Sequence, residues 1–88
     1  VVEKKVTVTN PLGIHARPAA LIVQTADKYK AEVRLVRDDL EVNGKSIMGV
    51  MMLAAEMGAV ITIRVWGDGE LECARALERA FAVRFDDD

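Results

Sequence analysis

"VITIRVW", residues 60–66, alternates along its whole length: Ile61, Ile63 and Val65 share one face, and Thr62, Arg64 and Trp66 share the other. Its β-branched residues suit a pleated strand that is buried on one side. A parallel sheet, covered on both faces, would read as an unbroken apolar run. A strand with one apolar face belongs in an antiparallel sheet whose other face meets water. This stretch therefore sets the fold class, and the rest of the chain must supply further strands and a layer of helices to cover the apolar side.

Working outward, Gly67-Asp68-Gly69 ends the strand, and a last helix repeats Ala74, Leu77 and Phe81 at three- and four-residue spacing. Cys73 falls within that alanine- and leucine-rich pattern and reads as a small core residue. Towards the N-terminus, Val6 and Val8 alternate with Lys5, Thr7 and Thr9 as a strand. Val33 and Leu35 mark a second strand, and Leu40 and Val42 a third, joined by a tight turn at Asp38-Asp39. Between the first two strands, Ala19, Ala20, Leu21, Ile22, Val23 and Ala26 suit a helix from Ala16 to about Lys28. Pro18 is tolerated only in its first turn, which fixes the helix start within about a residue of Ala16. Asn43-Gly44-Lys45 breaks the pattern, and Ser46 is a good N-cap for a short helix reaching Leu53. Gly58 closes that region. The order is β-α-β-β-α-β-α. We expect an α+β fold: an open-faced β-sandwich with a four-stranded antiparallel sheet and three helices on one face.

With 88 residues, 51% of them hydrophobic and 30% charged, the chain reads as one soluble globular domain over residues 1–88. The aspartates at 86–88 would meet the negative end of the last helix and are expected to fray. A formal charge of −2 argues against nucleic acid, which selects a concentrated basic face. No stretch approaches a transmembrane span, and the N-terminal segment lacks the apolar core of a signal peptide, so the cytoplasm is the expected location and no membrane insertion is expected. One cysteine cannot close an intramolecular disulfide, and one histidine with one cysteine makes a poor metal set. "GKS" at 44–46 mimics the end of a phosphate-binding loop, but Asp39 stands where that motif needs its first glycine. "GDG" at 67–69 mimics a dinucleotide fingerprint, but Glu72 stands where its third glycine belongs.

The reactive inventory converges on "NPLGIHARPAA", residues 10–20, which holds the one histidine in the chain. The first turn of a helix offers backbone amides that lack intrahelical partners, together with a partial positive charge, and so forms a ready anion site. A neutral imidazole is the form that can attack phosphorus. Arg17, always charged and forked, can bind two oxygens of a phosphoryl group. From the residues alone two readings stand: a phosphoryl cradle, or a loop-capping ring beside a solvated arginine. A histidine that charges at a helix N-terminus is a poor choice for stability alone.

"NPLGIHARPAA", followed by "NGKSIMGVMMLAAEMGAVITI", resembles the HPr family, the histidine-containing phosphocarriers of the bacterial phosphoenolpyruvate-dependent sugar phosphotransferase system. The match covers nearly the whole chain. "KSIMGVM" and Ala16 resemble the Gram-positive type. The resemblance implies that His15 accepts a phosphoryl group on Nδ1 from enzyme I and passes it to enzyme IIA, with Arg17 steadying the group. It implies a carrier and not a catalyst, with no cofactor and acting as a monomer. Ala16, Ala20, Gln24, Ile47, Met48 and Met51 would contact partners. Ser46 would be a regulatory phosphoserine, written by a serine kinase/phosphatase and read by a catabolite-repression regulator. The plain alternative for Ser46 is an ordinary cap.

Residues 47–53 are apolar almost all round, and a two-turn helix on a sheet cannot bury every side. Val50 and Leu53 suit the core. Met51 and Met52 are more apolar than the resemblance leads one to expect, so either the docking patch is enlarged or another element covers it. Two other functions stay open at this stage: a nitrogen-branch phosphocarrier paralogue, and a small ligand-binding or dimerising regulatory domain of similar element order.

Overall fold

Seven elements follow in the expected order in the computed structural model, which describes residues 1–84. They are β1 (Val2–Thr7), α1 (Ala16–Asp27), β2 (Glu32–Arg37), β3 (Leu40–Asn43), α2 (Ile47–Met52), β4 (Val60–Trp66) and α3 (Glu70–Ala82). The sheet runs β1-β4-β2-β3, with every neighbouring pair antiparallel. β4, the strand with the cleanest alternation, is one of the two central strands. Ile63 sits opposite Lys4 on one side and Leu35 on the other, and Val65 lies between Val2 and Val33.

The inward residues of the central strands, Val33, Leu35, Ile61, Ile63 and Val65, are fully buried. They share one core with Ile22 of α1, Val50 of α2 and Leu77 of α3. Burying each such side chain contributes about 1.5–3 kcal/mol, so this layer holds the sheet to its helices. α1 packs against both α2 and α3, and α3 lies along β1 and β4. Cys73 is part of this core, and burial pushes its thiol above the ordinary range, with a smaller opposing pull from Lys45.

The other face of the sheet is polar. Arg64 pairs with Glu3 at 2.9 Å and Glu41 at 3.4 Å, which offsets the like charge of Arg34 directly opposite it on β2. Trp66 stands on this open face opposite Glu32, where the alternation had placed it.

The structure moves a few boundaries. β1 begins at Val2, earlier than its apolar residues suggest, because Lys4 occupies an inward register position at the sheet edge. Its stem is half-buried while its ammonium reaches Glu78 of α3 at 3.8 Å. Leu40 is largely exposed, since it sits at the turn end of an edge strand with no outer neighbour. α1 and α2 each stop one residue short of the expected end, with Lys28 and Leu53 as C-caps. The expected fraying at 86–88 lies outside the described residues.

Candidate functional site

His15 is the N-cap of α1. Its backbone is extended, at φ −91° and ψ −165°, and its side chain makes no capping bond to the first turn. The ring is therefore not what caps the helix. The first bond of the helix runs from the Ala19 N–H to the His15 carbonyl at 3.0 Å, so the amides of Ala16 and Arg17 face out of the helix mouth. Pro18 takes the third helical position, where the N–H it lacks has no helical use. His15 is half-exposed, and Arg17 is exposed beside it in sequence.

The loop that delivers His15 is tied down from both ends. The Gly13 N–H donates to the Asn10 carbonyl at 2.9 Å, closing a turn around the buried Asn10. The Ile14 N–H donates to the Ala55 carbonyl at 2.8 Å. Gly13 has φ +73°, and a Cβ there would stand 2.3 Å from the Ala55 oxygen, so position 13 accepts only glycine. Two further bonds at 2.8 Å, Val8 N–H to the Ala59 carbonyl and Gly58 N–H to the Val8 carbonyl, extend the zipper. The segment after α2 is thereby laced to the segment before α1. Sequence spacing gave no sign of this tie, though a glycine two residues before the histidine was the available hint.

Ser46 is the N-cap of α2, as the sequence predicts. Its Oγ accepts from the Gly49 N–H at 3.1 Å, and its carbonyl accepts from the Val50 N–H at 2.9 Å. Val50 and Leu53 turn into the core, while Ile47, Met48, Met51 and Met52 stay at the surface, Met48 being 78% exposed. Met51 and Met52 stay exposed, so no other element among the described residues buries them and the apolar surface of α2 extends over both. Met57, just beyond α2, is exposed as well, so all four methionines lie outside the core. On α1, Ala16, Ala20 and Gln24 recur every fourth residue and form one stripe, exposed at Ala16 and Gln24 and half-buried at Ala20. The contact between α1 and α2 brings the two sets onto neighbouring helices. No helix among the described residues is long and apolar enough to cross a membrane.

A partly exposed imidazole at a helix mouth, with outward amides, an arginine two residues on and an apolar methionine surface on the adjacent helix, can accept an anion presented by another macromolecule. The family model for the PTS HPr component phosphorylation site matches residues 2–82. The chain belongs to the HPr family. HPr-family members are phosphocarriers of the phosphotransferase system, so this is a carrier family and not a family of catalysts. The phosphocarrier protein HPr of Treponema pallidum is 47% identical over 87 residues, spanning 99% of each chain. Among solved structures, HPr-C-His from Thermoanaerobacter tengcongensis superposes with a TM-score of 0.87 at 39% identity, covering 97% of this chain and all of that one. Crh of Bacillus subtilis, a catabolite-repression protein whose crystal structure is a domain-swapped dimer, superposes with a TM-score of 0.75 at 40% identity over 93% of this chain and 94% of that one. The resemblance carried by the His-x-Arg-Pro and Lys-Ser motifs is borne out.

Proposed function

We propose that His15 accepts a phosphoryl group from phosphorylated enzyme I and donates it to enzyme IIA components of sugar transporters. The observation that carries this reading is the place of His15: N-cap of α1, ring uncommitted to capping, amides of Ala16 and Arg17 facing outward. A ring nitrogen attacks phosphorus, the N–P bond forms as the donor's bond to phosphorus breaks, and the reverse step delivers the group onward. Family resemblance supports Nδ1 as that nitrogen. The outward amides and the Arg17 guanidinium take up the negative oxygens in both steps. The exposed apolar face of Ile47, Met48 and Met51, with Ala16, Ala20 and Gln24, forms the docking surface, and methionines suit a surface that serves several partners. Ser46 adds regulation: a phosphate there places nearly two negative charges at the edge of that surface. A serine kinase/phosphatase would write this mark and a catabolite-repression regulator would read it. We take the acting unit to be a cytoplasmic monomer of one domain.

Incubation with enzyme I and labelled phosphoenolpyruvate tests the proposal. The label should be lost in acid and kept in base, as a phosphoramidate requires, and adding enzyme IIA should drain it. An acid-stable, base-labile label, or one that enzyme IIA cannot remove, would overturn it.

A further inference from the structure

The segment leaving α2 holds a conformation that its residues do not favour. Ala54, the first residue past the C-cap Leu53, has φ +50°, in the left-handed region where helices normally end on glycine. An alanine stays there only when its surroundings over-determine the turn. Arg37, the last residue of β2, supplies that determination. Its Nη1 donates to the Leu53 carbonyl at 3.0 Å and to the Ala54 carbonyl at 2.8 Å, and its Nη2 pairs with the Glu56 carboxylate. The guanidinium thus satisfies two carbonyls at the helix end, where no helical donor exists. Only 24% of the Arg37 side chain is exposed, which is unusual for an arginine and indicates a built contact.

Ala55 lies between the residues that Arg37 grips. Its carbonyl receives the Ile14 N–H at 2.8 Å and abuts the position that a Cβ on Gly13 would occupy. Ile14 immediately precedes His15. A continuous set of contacts therefore runs from the guanidinium through the Ala54 turn and the Ala55 peptide to Ile14 and the mouth of α1. We infer that Arg37 is a positioning residue for His15. By fixing the peptide plane of Ala55 it fixes the Ile14 amide, and with it the angle at which the chain enters the helix mouth. Glu56 holds the guanidinium from its other side. The effect on phosphoryl transfer rests on His15 being the acceptor; the effect on the Ile14 amide does not.

Three variants and two readouts test this. Arg37→Ala should speed hydrogen exchange of the Ile14 amide by about tenfold or more relative to the change at Ile63 in the central strand, a local opening and not a global one. It should also slow phosphoryl acceptance from enzyme I by about tenfold, mainly in kcat, because misplacing a reacting group costs rate more than encounter. Arg37→Lys should recover only part of the loss, since an ammonium cannot reach two carbonyls and a carboxylate in one plane. Adding Ala54→Gly to Arg37→Ala should restore much of both readouts, because glycine adopts the turn unaided. If Arg37 instead touched the partner protein, glycine at position 54 would rescue nothing, and that result overturns the inference. So does an Ile14 amide that exchanges in step with Ile63, or a normal transfer rate despite faster Ile14 exchange. Should enzyme I fail to label even the wild-type protein, the functional reading falls, while the exchange data still decide whether Arg37 holds the loop.

Discussion

Arg17 and Pro18 divide the work at the mouth of α1. Pro18 sits where its missing N–H is harmless and is buried, so it fixes where the helix begins, whereas Arg17 is exposed and makes no part of the core. Arg17→Ala should therefore leave the melting temperature within a degree or so of wild type, as surface substitutions usually do, yet slow transfer. One charge-assisted hydrogen bond is worth about 1.5–3 kcal/mol, so its loss in the transition state slows a step by roughly ten- to a hundredfold. Stopped-flow rates with enzyme I and with enzyme IIA check this, and unchanged rates with both would make Arg17 an ordinary surface residue. His15 was legible in the sequence because a proline three residues later locates the helix start. The clamp on Ile14 was not, because its partner is a backbone carbonyl 41 positions away, and carbonyls carry no sequence signal.

At the scale of the element, α2 turns one side into the core and leaves the other at the surface. It has two turns, buries Val50 and leaves Ile47, Met48, Met51 and Met52 outside. Its cap was legible, since serine after a glycine-lysine break is a local signal; whether its methionines were covered was not, because that depends on what packs over them. Ser46→Asp keeps an acceptor for the Gly49 N–H and adds a negative charge at the positive end of the helix, which stabilises by about 0.3–1 kcal/mol. Thermal melts should rise by roughly 2–5 °C. Phosphorylation of His15 by enzyme I should slow all the same, because the charge would border the proposed docking surface and oppose a partner whose own surface is apolar and acidic. A variant that melts lower, or is phosphorylated at the wild-type rate, would return Ser46 to the role of a cap. Met48→Asp places a charge at the most exposed methionine and should weaken binding to enzyme I and enzyme IIA by about tenfold or more. Calorimetric titration giving wild-type affinity for both would remove α2 from the docking surface.

Across the whole molecule, the alternation of residues 60–66 was enough to predict an antiparallel sheet with one wet face, and β4 does lie inside that sheet. Strand order was beyond the sequence, because every strand has the same one-sided pattern and nothing local says which pairs with which. The half-buried Lys4 and the exposed Leu40, both at inward register positions, mark the two edges, where burial is incomplete and the polarity pattern loosens. Deep in the core, Cys73 ties stability to pH. Burial raises its folded thiol above the unfolded value of about 8.5, so its contribution is fully present below that pH. As pH rises further, the unfolded chain loses the proton while the folded one keeps it, and stability falls. The melting temperature of wild type should drop more steeply between about pH 8 and pH 9.5 than that of Cys73→Ala, although the alanine variant starts lower because of the cavity it opens. Parallel slopes would show that the thiol has no part in the alkaline loss.

The central claim is that one imidazole carries the phosphoryl group. Mass spectrometry at neutral or mildly alkaline pH, on wild type and His15→Ala after incubation with enzyme I and phosphoenolpyruvate, tests it most directly. Wild type should gain a single phosphoryl group, localised by fragmentation to His15. His15→Ala should keep its fold, judged by an unchanged circular dichroism spectrum, and gain none. A phosphorylated His15→Ala variant, or a wild-type phosphoryl group on any other residue, would contradict the account.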